Sequence, residues 1–179
     1  MTEAHKPGRQ AHAPRHLARV FALLGFYQWI ADPTLKAQKI EENLPALLAD
    51  DEEGTPVEDL GLTPEDWARC DRELLTTLLS GAIGEHAALE AEFSPFVDRD
   101  LKRVSLVERA ILFIGTYELL RCPQTPYRVV LNETIELAKH FGSGYRITPR
   151  RKPNQQQFCC SCRIEPLVRK LWAALFAGL

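Results

Sequence analysis

Three side chains able to carry positive charge open the first strongly periodic segment of the chain: Arg15, His16 and Arg19, directly behind Pro14. Proline suits the first turn of a helix. Leu17, Val20, Phe21, Leu24, Tyr27 and Trp29 then recur at helical spacing. Arg15 and Arg19 are one helical repeat apart and share a face. Cations at a helix N-terminus oppose the helix dipole, so something must compensate them. A phosphate backbone is one candidate, and simple solvation of a basic turn is the other. Spacing does not choose between them.

Other chemistry-bearing residues form no recognisable machinery. Cys159, Cys160 and Cys162 are close together but lack the two spaced pairs that a structural zinc site brings. Cys70 and Cys122 have no ligand neighbours in sequence. Glu118 ends a buried-looking stretch and Glu133 stands beside Asn132. Neither has a sequence partner for acid–base work, and the expected use of both is capping or bonding to a neighbouring helix. Phosphate-cradling glycine loops, nucleophile elbows and paired helical histidines are absent from the sequence. The expectation is therefore no enzyme, no metal and no cofactor.

A net charge of −2 hides an asymmetry. Residues 1–19 carry +3, residues 146–179 carry +6, and the stretch between carries −11. Basic ends on an acidic body put any polyanion contact near the termini, with solvated tails as the alternative. No apolar run is long enough for a membrane span, and the N-terminus lacks the apolar core of a secretory signal. The expected location is the cytoplasm, with the five cysteines as thiols.

The element that must hold these residues in place is Val104–Leu120. Ser105 and Glu108 make a capping box, and behind them almost every position is apolar. A helix that is apolar nearly all round is a buried one. Elsewhere, residues 1–13 read as a mobile arm, and Asp32-Pro33 ends the first helix. A second helix around Leu35–Leu48 is expected to bend or break at Pro45. Residues 50–62 read as an acidic loop. Thr63-Pro64-Glu65-Asp66 starts a helix expected to run unbroken to about Glu85, followed by a shorter one from His86 to Phe93. Thr125 and Pro126 start another, ending at Gly142-Ser143-Gly144. No segment alternates with the two-residue period of a strand, so the fold is all-α.

Three of these stretches carry a family resemblance. Arg15–Trp29 resembles the first helix of the NusB family of transcription antitermination factors. Ser105–Leu120, with Val-Glu-Arg-Ala-Ile-Leu and Tyr-Glu-Leu, is similar to that family's central helix. The most specific match is Pro-Tyr-Arg-Val-Val-Leu-Asn-Glu-Thr-Ile-Glu-Leu-Ala-Lys-His-Phe-Gly, residues 126–142. The resemblance covers residues 14–145. It implies a bundle of about six to seven helices in two small sub-bundles. It also implies binding of boxA RNA in ribosomal RNA leader transcripts together with NusE, a small-subunit ribosomal protein, within the RNA polymerase antitermination complex. On this resemblance the RNA contacts are Arg15, His16 and Arg19, and the NusE contacts are Tyr27 and Glu108. His16 stands where many members have arginine, which weakens the charge at neutral pH. Tyr127 is a further candidate for stacking on RNA, although a buried tyrosine is the preferred reading.

The resemblance stops after Tyr145. Family members continue with Lys-Phe-Val-Asn-Gly-Val-Leu-Asp or a close variant, whereas this chain has Ile-Thr-Pro-Arg-Arg-Lys-Pro-Asn after Arg146. Residues 146–179 therefore read as an atypical basic tail, diverged or frame-altered, with a possible short helix over Leu167–Phe176. Two other functions compete: a helical module that binds only protein, and the N-terminal domain of a ribosomal RNA cytosine methyltransferase. The second would need a glycine-rich methyl-donor site, which this sequence lacks.

Overall fold

The computed structural model describes residues 12–48, 62–97 and 100–141. Among them are seven α-helices and no strand: α1 (Pro14–Ala31), α2 (Ala37–Leu48), α3 (Pro64–Arg69), α4 (Arg72–Gly84), α5 (His86–Phe93), α6 (Leu106–Arg121) and α7 (Tyr127–Phe141). The all-α expectation holds. None of these helices is long and apolar enough to cross a membrane.

Helix α6 is the axis. Its capping box is closed in both directions: Glu108 N–H donates to Ser105 Oγ at 3.2 Å, and Ser105 N–H donates to the Glu108 carboxylate at 3.1 Å. From Ala110 to Ile114 every residue is buried. Phe113 sits at the centre, with its ring centroid 4.9 Å from both Phe26 of α1 and Phe93 of α5. Helices α1 to α4 pack on one another, while α5 and α7 pack on α6. Contacts of α1 and α4 with α6 join the two groups into one continuous core. Arg19 meets Glu118 near one end, and Phe26 meets Phe113 further along. Helices α1 and α6 are therefore antiparallel.

Two boundaries differ from the sequence reading. The helix expected over residues 63–85 is two helices. Cys70 is extended, with ψ 137°, and Asp71 starts a new helix by accepting from Leu74 N–H at 3.1 Å. Asp71 N–H in turn donates to the Pro14 carbonyl at 3.1 Å, which ties the break to the start of α1. The apolar period runs on across the break, so periodicity alone concealed it. Of the bend or break expected at Pro45, the break does not occur: α2 continues through it to Leu48. The first helical residue of α7 is Tyr127 rather than Pro126, within the usual uncertainty of helix ends. The glycine-rich stop at 142–144, the 1–11 part of the N-terminal arm, the 50–61 part of the acidic loop and the tail from 146 lie outside the described residues.

Candidate nucleic-acid interface

The start of α1 is built from the inside outwards. Arg19, one turn in, is only 3% exposed. Its guanidinium grips Glu118 of α6 with two bonds, Nε to Oε2 at 2.8 Å and Nη2 to Oε1 at 2.6 Å. Nη1 donates to the Arg15 carbonyl at 3.1 Å and lies 3.6 Å from Glu133 of α7. This is the two-pronged geometry in which an arginine–carboxylate pair is strongest. Arg19 thus joins three helices at one point.

His16 lies nearer the surface. Its Nδ1 donates to Glu133 Oε2 across 2.8 Å, the imidazole being the donor because a carboxylate can only accept. That bond, helped by the Arg19 charge, holds the Glu133 carboxyl below its ordinary pKa against the opposing effect of burial. Arg15 is the outermost of the three, with 48% of its side chain exposed. Nη2 donates to Thr125 Oγ1 at 3.3 Å, and Nε approaches Asp71 at 4.0 Å. The dipole conflict posed by the sequence is therefore met by carboxylates of α6 and α7 and by the residue that starts α4. Glu118 and Glu133 bond to a neighbouring helix, as expected.

Tyr127 is exposed (36%) rather than buried, which reverses the preferred reading. It stands in the first turn of α7, just after the 122–126 turn, and its neighbour Val129 is equally open; burial begins at Val130. Arg128 Nε donates to the Tyr127 hydroxyl at 3.0 Å. Arg15 reaches this turn through Thr125, two residues before Tyr127. The start of α1 and the start of α7 thus meet in one corner.

The two candidate partner residues lie elsewhere. Tyr27 is 40% exposed and sits twelve residues beyond Arg15, about 18 Å along the helix axis. Glu108 belongs to the opposite end of α6 from Glu118 and is only 8% exposed, its carboxylate used in the capping box.

Sequence reasoning missed a shallow pocket beside the corner, with a volume of about 200 Å³. His12, His16 and Val20 line one side, and Glu136, His140 and Phe141 of α7 line the other, with Leu62 at the edge. The i, i+4 spacing of Glu136 with His140 on α7 was a signal available in the sequence; His12 lies before α1 and carried none. Among the described residues, no group of three or more His, Cys, Asp or Glu side chains could hold a metal ion.

The fold and this corner define an all-α bundle whose polar side chains converge where α1 and α7 begin. Residues 16–146 match the model of the NusB family, and the chain belongs to that family. It is 41% identical over 128 residues to the transcription antitermination protein NusB of Azoarcus sp. (strain BH72), covering 72% of each chain. To the protein of the same name from Ralstonia nicotianae it is 38% identical over 151 residues, covering 82% of this chain and 86% of the relative. The relative from Thiobacillus denitrificans is 38% identical over 131 residues, covering 72% and 76%.

Proposed function

We propose that this chain is a transcription antitermination factor that binds boxA RNA of ribosomal RNA leader transcripts together with NusE, as part of the RNA polymerase antitermination complex. The relatives named above are antitermination proteins. The observation that carries the reading is the Arg15–Thr125 bond, which joins an exposed arginine to the turn bearing an exposed tyrosine. A cation to track phosphates beside a ring to stack a base is the usual equipment of single-stranded RNA sites. Arg15 and Tyr127 are the surface contacts in this reading. His16 lies beside them. Arg19 works from the interior, fixing the position of Arg15 rather than touching RNA. Tyr27, at the far end of α1, is the NusE contact, with Glu108 shaping the start of α6 there.

The test is a filter-binding titration of a boxA oligonucleotide at several salt concentrations, with and without NusE. Arg15→Ala is expected to weaken binding and to reduce the salt slope by about 0.7, the contribution of one phosphate on a single strand. Unchanged affinity and slope would remove the RNA assignment. One observation favours a protein-only module instead: Arg19 is neutralised internally and Arg15 already has Asp71 nearby. Capture of NusE with no RNA retention would select that second reading.

A further inference from the structure

We infer that the pocket between His12 and His140 takes a single unpaired nucleobase, next to the phosphate track at Arg15. This rests on the RNA reading above and adds a base-specific site to it. The walls are what a base requires. The His12 and His16 rings are stacked, with centroids 5.1 Å apart and planes at 24°. Across the pocket, His140 and Phe141 make an edge-to-face pair at 4.9 Å. Imidazole and phenyl rings are both stacking surfaces for splayed bases. Val20 and Leu62 add apolar lining. A volume of about 200 Å³ is below that of sites for drug-sized ligands, ~300–1,000 Å³, and suits one ring system rather than a whole nucleotide.

Polarity also selects the ligand. Glu136 lines the pocket and binds Lys139 through Oε1 at 2.7 Å. A carboxylate has room for about four hydrogen bonds, so it can still accept from an amino or imino N–H of a base. A phosphate would be repelled by Glu136 and by Glu133 just behind His16. Among the described residues no group of three or more His, Cys, Asp or Glu side chains could hold a metal ion, which disfavours a metal here. His16, which lines the pocket, adjoins Arg15 in the chain, so the pocket lies within one helical turn of the phosphate contact.

The experiment uses the full chain and a set of boxA oligoribonucleotides, each carrying one 2-aminopurine at a successive position. One position is expected to lose fluorescence on binding, as stacking demands. At pH 8, His140→Ala is expected to bind about tenfold more weakly with an unchanged salt slope. His140→Phe, which keeps a ring, is expected to stay within about twofold of the parent. If Arg15→Ala changes the slope but no position is quenched and His140→Ala binds normally, the pocket inference fails and the RNA reading stands. Equal losses in His140→Ala and His140→Phe would also overturn it, since the ring would not be the active feature. If no oligonucleotide binds, both fail.

Discussion

Glu118→Gln is the sharpest probe of how the corner is held. The replacement keeps the shape of the side chain but removes the charge that Arg19 grips. Both partners are nearly inaccessible, at 3% and 2% side-chain exposure, so water cannot take over the solvation of the guanidinium. Breaking a buried pair by removing one partner costs ~3–5 kcal/mol. Arg19 would keep the Arg15 carbonyl at 3.1 Å and Glu133 at 3.6 Å. These residual contacts put the expected loss near the lower end, about 3 kcal/mol, a large part of the ~5–15 kcal/mol that stabilises a typical domain. With a urea slope of about 2 kcal/mol per M, the unfolding midpoint should fall by about 1.5 M.

Circular dichroism during urea unfolding measures this directly. Replacing both partners at once, Arg19→Met with Glu118→Leu, should cost less than either single change, because no buried charge is left alone. A midpoint shift below ~0.3 M for Glu118→Gln would refute the reasoning, since it would mean that the guanidinium is not desolvated. The same variant separates positioning from contact. Under conditions where it is folded, its RNA salt slope should match that of the parent, while Arg15→Ala lowers it.

The remaining predictions test other parts of the framework. The His16 hydrogen bond, chiefly, holds the folded Glu133 carboxyl below its ordinary pKa; its contribution to stability is thus present above the ordinary carboxylate range and lost as pH falls through the folded value. The stability gap between the parent and Glu133→Gln should therefore narrow between pH 6 and pH 3, and a constant gap would contradict the assignment. Burial pushes the Cys70 thiol up to about 11; peptide mapping after iodoacetamide treatment at pH 8 should find Cys70 unmodified unless urea is present, and rapid native labelling would count against its burial. A methyl at Gly81 would collide with the Tyr117 ring where α4 crosses α6; Gly81→Ala should lower stability by ~1–3 kcal/mol despite the helix propensity of alanine. Pairing it with Tyr117→Leu should recover part of that loss, and no recovery would place the strain elsewhere.

What could be read from the sequence depended on whether the information was local. Ser105 and Glu108 announce the start of α6 through a cap made within four residues. The continuous apolar run behind them announces its burial. Pro14, Asp32 and the Thr63–Asp66 start are local signals too, and each stands where expected. The break at Cys70-Asp71 was hidden because part of its stabilisation is a bond to Pro14, far away in sequence. The same limit applies to the corner. Arg19 and Glu118 are 99 positions apart and His16 and Glu133 are 117 apart. No spacing rule pairs them, so Arg19 looked like a surface cation and Tyr127 like a core residue, and the structure has them the other way round.

That exchange changes how charge at this corner should be counted. Three basic positions in five residues suggest phosphate contacts by all three, and hence a salt slope near −2 at about −0.7 per phosphate on a single strand. Arg19 is neutralised by Glu118, and His16 lies on Glu133. Of these three positions only Arg15 offers exposed charge, so together they should contribute a slope near −0.7. Phosphate contacts position a strand, and base contacts specify it. With one phosphate contact from these positions instead of three, the corner is expected to draw the rest of its affinity from Arg128 beside Tyr127 and from rings, Tyr127 and the histidine-lined pocket beside His16. Its hold on RNA should therefore survive salt better than the basic sequence suggests, and should depend more steeply on which bases are offered.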